Sequence, residues 1–289
     1  MTTLIDSMVE RAKADKKTIV LPEGHDNRIL AAAEETLKQG IANLVILGDA
    51  EEINAKGYNL EGAEIINPAT SDKVDEFASL LFELRKKKGM TEEEARELVT
   101  KDNIYFATMM VKTGQCDGLV GGASCATVKI LSPALKVLKT APGAPMVSSL
   151  FLMEVPNCDL GENGVFAFAD CALEIQPTAE KLAHIANLTN QSFKRLLGKE
   201  ARIALLSHSS HGSAKNDDAQ KVVDAMTYIK ENYPDLPEDA ENASGNTGGE
   251  EDETLGLSPT FFLITDALKS MSEEKLKVVY SVIKGLNEK

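Results

Sequence analysis

Short apolar runs separated by amphipathic stretches organise most of the chain up to Tyr233. Thr18-Ile19-Val20-Leu21 is apolar and ends at Pro22 and Gly24. Asp26 to Lys38 then places Ile29, Leu30, Ala33 and Leu37 at helical spacing. Ala42 to Leu47 is apolar again and stops at Gly48-Asp49, and Ala63 to Ile66 predicts a weaker strand. Asp72–Lys88, Thr91–Thr100 and Asn103–Lys112 predict helices, with Thr91 and Glu94 spaced as a capping box. Asp117 to Gly122 predicts a buried strand that runs into a glycine turn, and Lys129–Lys139 is helical apart from Pro133. Met146–Val155 and Val165–Ala169 predict strands, Thr178–Leu197 a helix, Arg202–Ser207 the last core strand, and Asn216–Glu231 a helix. Apolar runs without alternation, separated by helices, predict α/β architecture with parallel sheets covered on both faces. In such sheets ligands sit beyond the carboxyl ends of the strands. The polar loops after those strands are the places to look for chemistry.

The pattern breaks near Tyr233. Pro234 to Glu253 holds eight acidic residues and no Lys or Arg, and is nearly devoid of large apolar groups. That composition predicts a solvated, flexible linker. Ser258-Pro259 then opens a helical pattern, with Phe261, Phe262, Ile264, Leu268 and Met271 on one face, continued by Leu276, Val279, Ile283 and Leu286. This end is expected to dock as one or two helices, or to bind a partner.

Of the 289 residues, 43% are hydrophobic, enough for one large or two medium cores. The formal net charge of −14 argues against nucleic acid and anionic membranes as partners. No apolar stretch reaches bilayer length, and the charged N-terminus has no secretory h-region. Cys116, Cys125, Cys158 and Cys171 show no CxxC spacing, which predicts reduced thiols in a cytoplasmic protein. Metal-ligand spacing is also missing, so no metal is expected.

Four segments carry candidate chemistry. Leu21 to Arg28 (LPEGHDNR) is a strand end entering a helix, where free N–H groups favour anions; Arg28 is its cation. Phe82 to Gly89 (FELRKKKG) concentrates cations in an acidic chain, and Arg85 has the fork that suits phosphate best. Asp117 to Thr127 (DGLVGGASCAT) opens a strand into Gly121-Gly122, followed by Ser124 and Thr127; residues this small let backbone N–H groups approach a phosphate or thioester. Neither a Walker A loop nor GxGxxG is present, so a nucleotide cofactor is not indicated. Leu206 to Lys215 gathers Ser207, Ser209, Ser210, Ser213, His208, His211, Gly212 and Lys215, which fits a phosphate cradle better than a Ser/His nucleophile. His184, within a helix, and Cys125, among small residues, are read as structural.

Six segments occur in the order and spacing of phosphate acetyltransferases: KTIVLPEGHDNRIL, FELRKKKG, DGLVGGAS, LSPALKVLKTAPG, FADCALEIQPTAEKLAHIA and LLSHSSHGSAK. Over about residues 1 to 232 the chain thus resembles the phosphate acetyl/butyryltransferase family. The resemblance implies two α/β domains with a cleft between them, as in isocitrate and isopropylmalate dehydrogenases. The first is expected over residues 1–143 and a partial second over 144–232, then the linker over 233–257 and a helical segment over 258–289. It implies acetyl transfer between acetyl phosphate and coenzyme A by a homodimer, with no cofactor beyond CoA as substrate. Arg85 matches a phosphate-region arginine of the family, and Ser213 and Lys215 match its serine-rich loop. Arg85 and Ser213 are therefore the expected catalytic residues. Arg28, Gly122, Ser124, Thr127, Ser207, Ser209, Gly212 and Lys215 are expected to bind substrate.

The chain also departs from the family pattern. Ser132 stands where the family usually has an arginine, and no arginine follows Arg202. The family's late Pro-Asn-Asp-Leu-Ser-Arg-Gly run, with its arginine and nearby aspartate base, has no counterpart. A truncated or rearranged C-terminal part is the expectation, with Asp170, Asp217 or another carboxylate as a substitute base. The alternatives are a non-catalytic homologue binding a CoA or acyl-phosphate ligand or a protein partner, and a butyryl- or other acyl-specific enzyme.

Overall fold

The computed structural model describes residues 4–158, 161–205 and 216–236. The chain divides into two compact units, Met1–Ala141 and Pro142–Lys289.

The first unit is built on a parallel sheet of four strands in the order β3-β2-β1-β4. They are β1 (Thr18–Leu21), β2 (Asn43–Leu47), β3 (Glu64–Ile66) and β4 (Gly118–Leu119). Ile19 pairs with Leu44 on one side and Gly118 on the other. Successive side chains of a strand point to opposite faces, and here both faces are buried. Val20, Val45 and Leu47 join Phe77, Leu81, Phe106 and Met109 in one core cluster. Leu21, Leu44 and Ile46 join Leu30, Ala33 and Ile53 in another. The unalternated apolar runs are thus the signature of a doubly covered sheet.

The helices of this unit are α1 (Leu4–Ala14), α2 (Asn27–Gln39), α3 (Ala50–Asn54), α4 (Val74–Arg85), α5 (Glu92–Lys101), α6 (Asn103–Lys112) and α7 (Thr127–Pro133). Phe77 of α4 meets Phe106 of α6 edge-on, ring centroids 5.0 Å apart. The capping box at α5 is formed: Thr91 accepts from the Glu94 amide, and the Glu94 carboxylate accepts from the Thr91 amide. The helix expected over Asp72–Lys88 stops at Arg85 and tightens into a short turn over Lys86–Lys88, closed by Gly89 at φ 87°. Pro133 does not interrupt its helix. It leads into a wider π turn over Ala134–Leu138 that buries Val137 completely. The strand expected over Asp117–Gly122 is reduced to Gly118–Leu119. It is an edge strand and half-buried, and Val120 beyond it is 56% exposed.

In the second unit β5 (Leu150–Glu154) and β6 (Val165–Ala169) pair antiparallel, Leu150 opposite Ala169 and Glu154 opposite Val165. The α/β class stands, but this pair corrects the expectation of parallel strands here. Only ten residues, Val155 to Gly164, separate the two strands, fewer than the dozen or more of a parallel crossover. Residues 202–205 form no strand, contrary to the reading of Arg202–Ser207; residues 206 and 207 lie outside the described residues. Helices α8 (Ala179–Leu197) and α9 (Asp217–Asn232) are capped by Thr178 and Asn216. They pack through Ala183, Ala186, Met226 and Ile229. His184 is 9% exposed, and its Nδ1 lies 2.5 Å from the Tyr233 hydroxyl, a structural role as read. The acidic linker from residue 237 onward and the terminal helical pattern lie outside the described residues.

Candidate active site

At the carboxyl end of the first sheet, the segment after β1 meets the loop after β4. Gly24 turns the chain there: its amide donates to the Leu47 carbonyl at 3.2 Å. A Cβ on Gly24 would lie 2.6 Å from that oxygen and 2.9 Å from Ile46 and Ile53 side-chain atoms. Only glycine permits this approach. On the facing loop Gly122 has φ 107°, a left-handed value that also favours glycine.

Between them lies Glu23, only 3% exposed. Its Oε2 accepts from the amides of Gly122 at 2.6 Å and Ala123 at 2.9 Å. Its Oε1 accepts from the Ser124 amide at 2.8 Å and the Ser124 hydroxyl at 2.7 Å. Because that hydroxyl donates to Glu23, the His25 Nε2 that lies 3.0 Å from Ser124 Oγ is the protonated nitrogen of the ring. Asp26 caps α2 and holds Arg28 through Nε at 3.0 Å and Nη2 at 2.7 Å. The same Nη2 donates to the Ala123 carbonyl. Lys56 donates to the His25 carbonyl at 2.5 Å and to Asn27 Oδ1 at 3.0 Å. Asn103 of α6 donates to the Pro22 carbonyl at 3.0 Å.

The structure therefore brings Arg28, Gly122 and Ser124 together, and it revises how the loop works. The three amides expected to cradle a phosphate already bind a carboxylate of the protein itself. The groups that remain for a ligand are side chains, chiefly the Arg28 guanidinium, 69% exposed, whose Nη1 makes none of these bonds.

Burial alone would push the Glu23 carboxyl up. The Ser124 hydroxyl and the Ser124, Ala123 and Gly122 amides outweigh it and hold the group down at about 2, from an ordinary 4.5. A carboxyl held lower in the folded chain stabilises it above the unfolded value and stops doing so as pH falls. This one group is expected to contribute about 3 kcal/mol at neutral pH. The contribution is full above pH 4.5 and disappears as pH falls towards 2. Urea midpoints measured from pH 6 to 3 should fall more steeply in the native protein than in Glu23→Gln. Parallel slopes would show that Glu23 is not held this way.

Arg85 stands at the C-terminal end of α4, where the helix dipole favours a cation. Its Nε is shielded from solvent and has no hydrogen-bond partner among the described residues. Thr127 is the exposed first residue of α7. Ser207, Ser209, Gly212, Ser213 and Lys215 lie outside the described residues. Burial and the nearby Glu23 charge raise the Cys125 thiol, which makes it a poor nucleophile.

The second unit repeats the clamp with Asp170. It accepts from the Ser149 hydroxyl at 2.5 Å and amide at 2.8 Å, and from the amides of Ala172 at 2.9 Å and Leu173 at 2.8 Å. Burial opposes ionisation, but these bonds hold the carboxyl well below the usual range. Asp170 is therefore a weak base. Asp217, at the exposed start of α9, is the other carboxylate suggested for that task.

Sequence reasoning did not assign roles to Glu23 and Asp26. The available signal was a Glu–Gly pair ending a buried strand, with a second strand opening into Gly-Gly. Among the described residues no three His, Cys, Asp or Glu side chains are grouped to hold a metal ion, and no helix is long and apolar enough to cross a membrane.

The family described as phosphate acetyl/butaryl transferase matches residues 3–243. The phosphate acetyltransferase of Thermoanaerobacterium thermosaccharolyticum is 53% identical over 241 residues, covering 83% of this chain and 73% of that protein. That of Acetivibrio thermocellus is 47% identical over 241 residues, covering 83% and 72%. The crystal structure of a phosphotransacetylase from Streptococcus pyogenes superposes with a TM-score of 0.73 at 35% identity, covering 81% of this chain and 70% of that one. By sequence and by fold, this chain belongs to the phosphate acetyl/butyryltransferase family.

Proposed function

We propose that this chain catalyses the reversible transfer of an acetyl group between acetyl phosphate and coenzyme A. The observation that carries the reading is the 53% identity, over 241 residues, to a protein named phosphate acetyltransferase. In the forward direction the CoA thiol loses its proton, and the thiolate attacks the acetyl carbonyl. The carbon–sulfur bond forms, the carbon–oxygen bond to phosphate breaks, and inorganic phosphate leaves with the electron pair. The thiolate is the nucleophile, so a base adds to the rate. Charge grows on the departing phosphate, so a fixed guanidinium adds more.

Arg85 is assigned to the phosphate, together with Ser213. Arg28, Gly122, Ser124 and Thr127 form one wall of the substrate site. Ser207, Ser209, Gly212 and Lys215 complete a phosphate cradle. CoA serves as substrate, and no further cofactor takes part. The working form is a cytoplasmic homodimer, to be checked by light scattering for twice the mass of the chain.

Thioester absorbance with CoA and either acetyl or butyryl phosphate tests the assignment. A methylene more or less in an apolar pocket changes kcat/KM by about 10–200-fold. Acetyl phosphate should be preferred by at least about tenfold. Equal rates, or a preference for butyryl phosphate, would move the chain to the other branch of its family.

A further inference from the structure

We propose that Glu23 is a positioning residue of this site: its buried carboxylate fixes the Gly121–Ser124 loop and, through that loop, places Arg28 and Ser124 for the phosphorylated substrates. The inference rests on the acetyl-transfer reading and adds a residue that acts through others.

Three successive amides converging on one acceptor form a concavity that ordinarily binds an anion. Here the anion belongs to the protein. Two carboxylate oxygens accept four bonds, from the Gly122, Ala123 and Ser124 amides and the Ser124 hydroxyl. An ionised carboxylate only accepts, so every oxygen matches every donor. A glutamine in the same place would turn an NH2 group towards at least one amide N–H. With all four contacts made and 3% exposure, Glu23 has no surface from which to touch a substrate.

The rest of the loop is tied to the same segment that carries Glu23. Arg28 holds the Ala123 carbonyl, and His25 donates to Ser124 Oγ at 3.0 Å. Residues 23 to 28 thus supply both the clamp and the arginine. If the clamp is lost, the Ala123 carbonyl shifts, and the guanidinium bonded to it shifts as well. A side chain on Gly121 would press on Pro22 Cγ at 3.0 Å and Ile130 Cδ1 at 3.1 Å, so the loop has little room to settle elsewhere at the same depth.

The test uses the full chain as wild type and as Glu23→Gln, with hydrogen exchange on peptides spanning residues 120–126 and steady-state kinetics on both substrates. The expected result has two parts. Exchange at the loop amides accelerates at least tenfold while β1 and β2 keep their protection. At a temperature where both proteins are folded, kcat/KM falls by about 10–100-fold, as for a displacement near 1 Å. Glu23→Ala removes the carboxylate and leaves space where it lay, and added formate should restore part of its rate; a loss that came from misfolding would not respond. If Glu23→Gln does not fold, Glu23→Asp replaces it and should fall between wild type and alanine. Faster exchange with wild-type kinetics overturns the positioning role, as does unchanged exchange. If the wild-type chain itself turns nothing over, the acetyl-transfer reading falls on its own. The positioning role is then decided by CoA binding: a Kd at least tenfold weaker in Glu23→Gln sustains it, and equal values end it.

Discussion

Arg85→Ala is expected to lower kcat/KM for acetyl phosphate by about 10²–10³, the usual loss when one fixed donor to a developing oxyanion is removed. The fold should survive, because Arg85 ends α4 and the core residues of that helix, Val74, Phe77, Ala78 and Leu81, precede it. What distinguishes Arg85 from the lysines after it is its surroundings. Lys86 pairs with Glu83 at 2.5 Å and lies over the Phe82 ring, 5.9 Å from its centroid. Arg85 Nε is shielded and has no partner among the described residues. Shielding a donor without a bond is costly, of the order of 1–3 kcal/mol, and an anionic substrate would offset that cost. Arg85→Lys keeps the charge but loses the planar fork, so it should recover only part of the rate. Steady-state kinetics on the three proteins, with circular dichroism to establish folding, decide the matter. A folded Arg85→Ala protein with wild-type kcat/KM would remove Arg85 from the chemistry.

Gly24→Ala should be the most damaging single methyl addition in the first unit. The new Cβ would sit 2.6 Å from the Leu47 carbonyl oxygen and 2.9 Å from both Ile46 Cγ2 and Ile53 Cδ1. The oxygen belongs to β2 backbone, and Ile46 and Ile53 are 0% and 2% exposed, so nothing nearby can yield cheaply. Overpacking of this kind costs about 1–3 kcal/mol, occasionally more, and this contact falls at the upper end. A domain of this size loses roughly 2–4 °C in Tm per kcal/mol, so a fall of roughly 6–12 °C is expected by scanning calorimetry. Activity should drop as well at temperatures where the variant is still folded, because Glu23 is the preceding residue. An unchanged Tm would mean that the turn after β1 is not packed as described.

Both predictions draw on features of unequal visibility in the sequence. The sheet was legible because Val20 and Leu21, or Val45 and Ile46, are apolar neighbours that point into different cores. The cap at Thr91 was legible because Glu94 stands three residues on with the right chemistry; Asp26, Thr178 and Asn216 cap their helices without such a partner to mark them. Helix α1 was not legible, because charged residues stand among its apolar positions Leu4, Ile5, Met8, Val9 and Ala12, and none of those positions is fully buried. The direction of β6 was hidden because apolarity reports burial and not pairing; the short link over residues 155–164 decided it.

At the site, the sequence marked the loops but not their partners. Gly121-Gly122 marked a loop for a phosphate or thioester, and the amides of Gly122, Ala123 and Ser124 meet the Glu23 carboxylate instead. Which anion they meet depends on where Glu23 falls after folding, 99 to 101 residues away along the chain. A carboxylate beside a glycine at a strand end reads locally as a turn residue, and only the pairing of β1 with β4 brings it under the loop. Asp170 followed the same course: suggested as a base, it is held as an acceptor for the Ser149, Ala172 and Leu173 groups.

The measurement that tests the central claim most directly is transfer in both directions by the purified full chain. One reaction holds acetyl phosphate and CoA, the other acetyl-CoA and inorganic phosphate, each followed by mass spectrometry of the CoA species. The account predicts acetyl-CoA from the first, acetyl phosphate and free CoA from the second, and both rates reduced together by Arg85→Ala. A folded protein that forms neither product would contradict it.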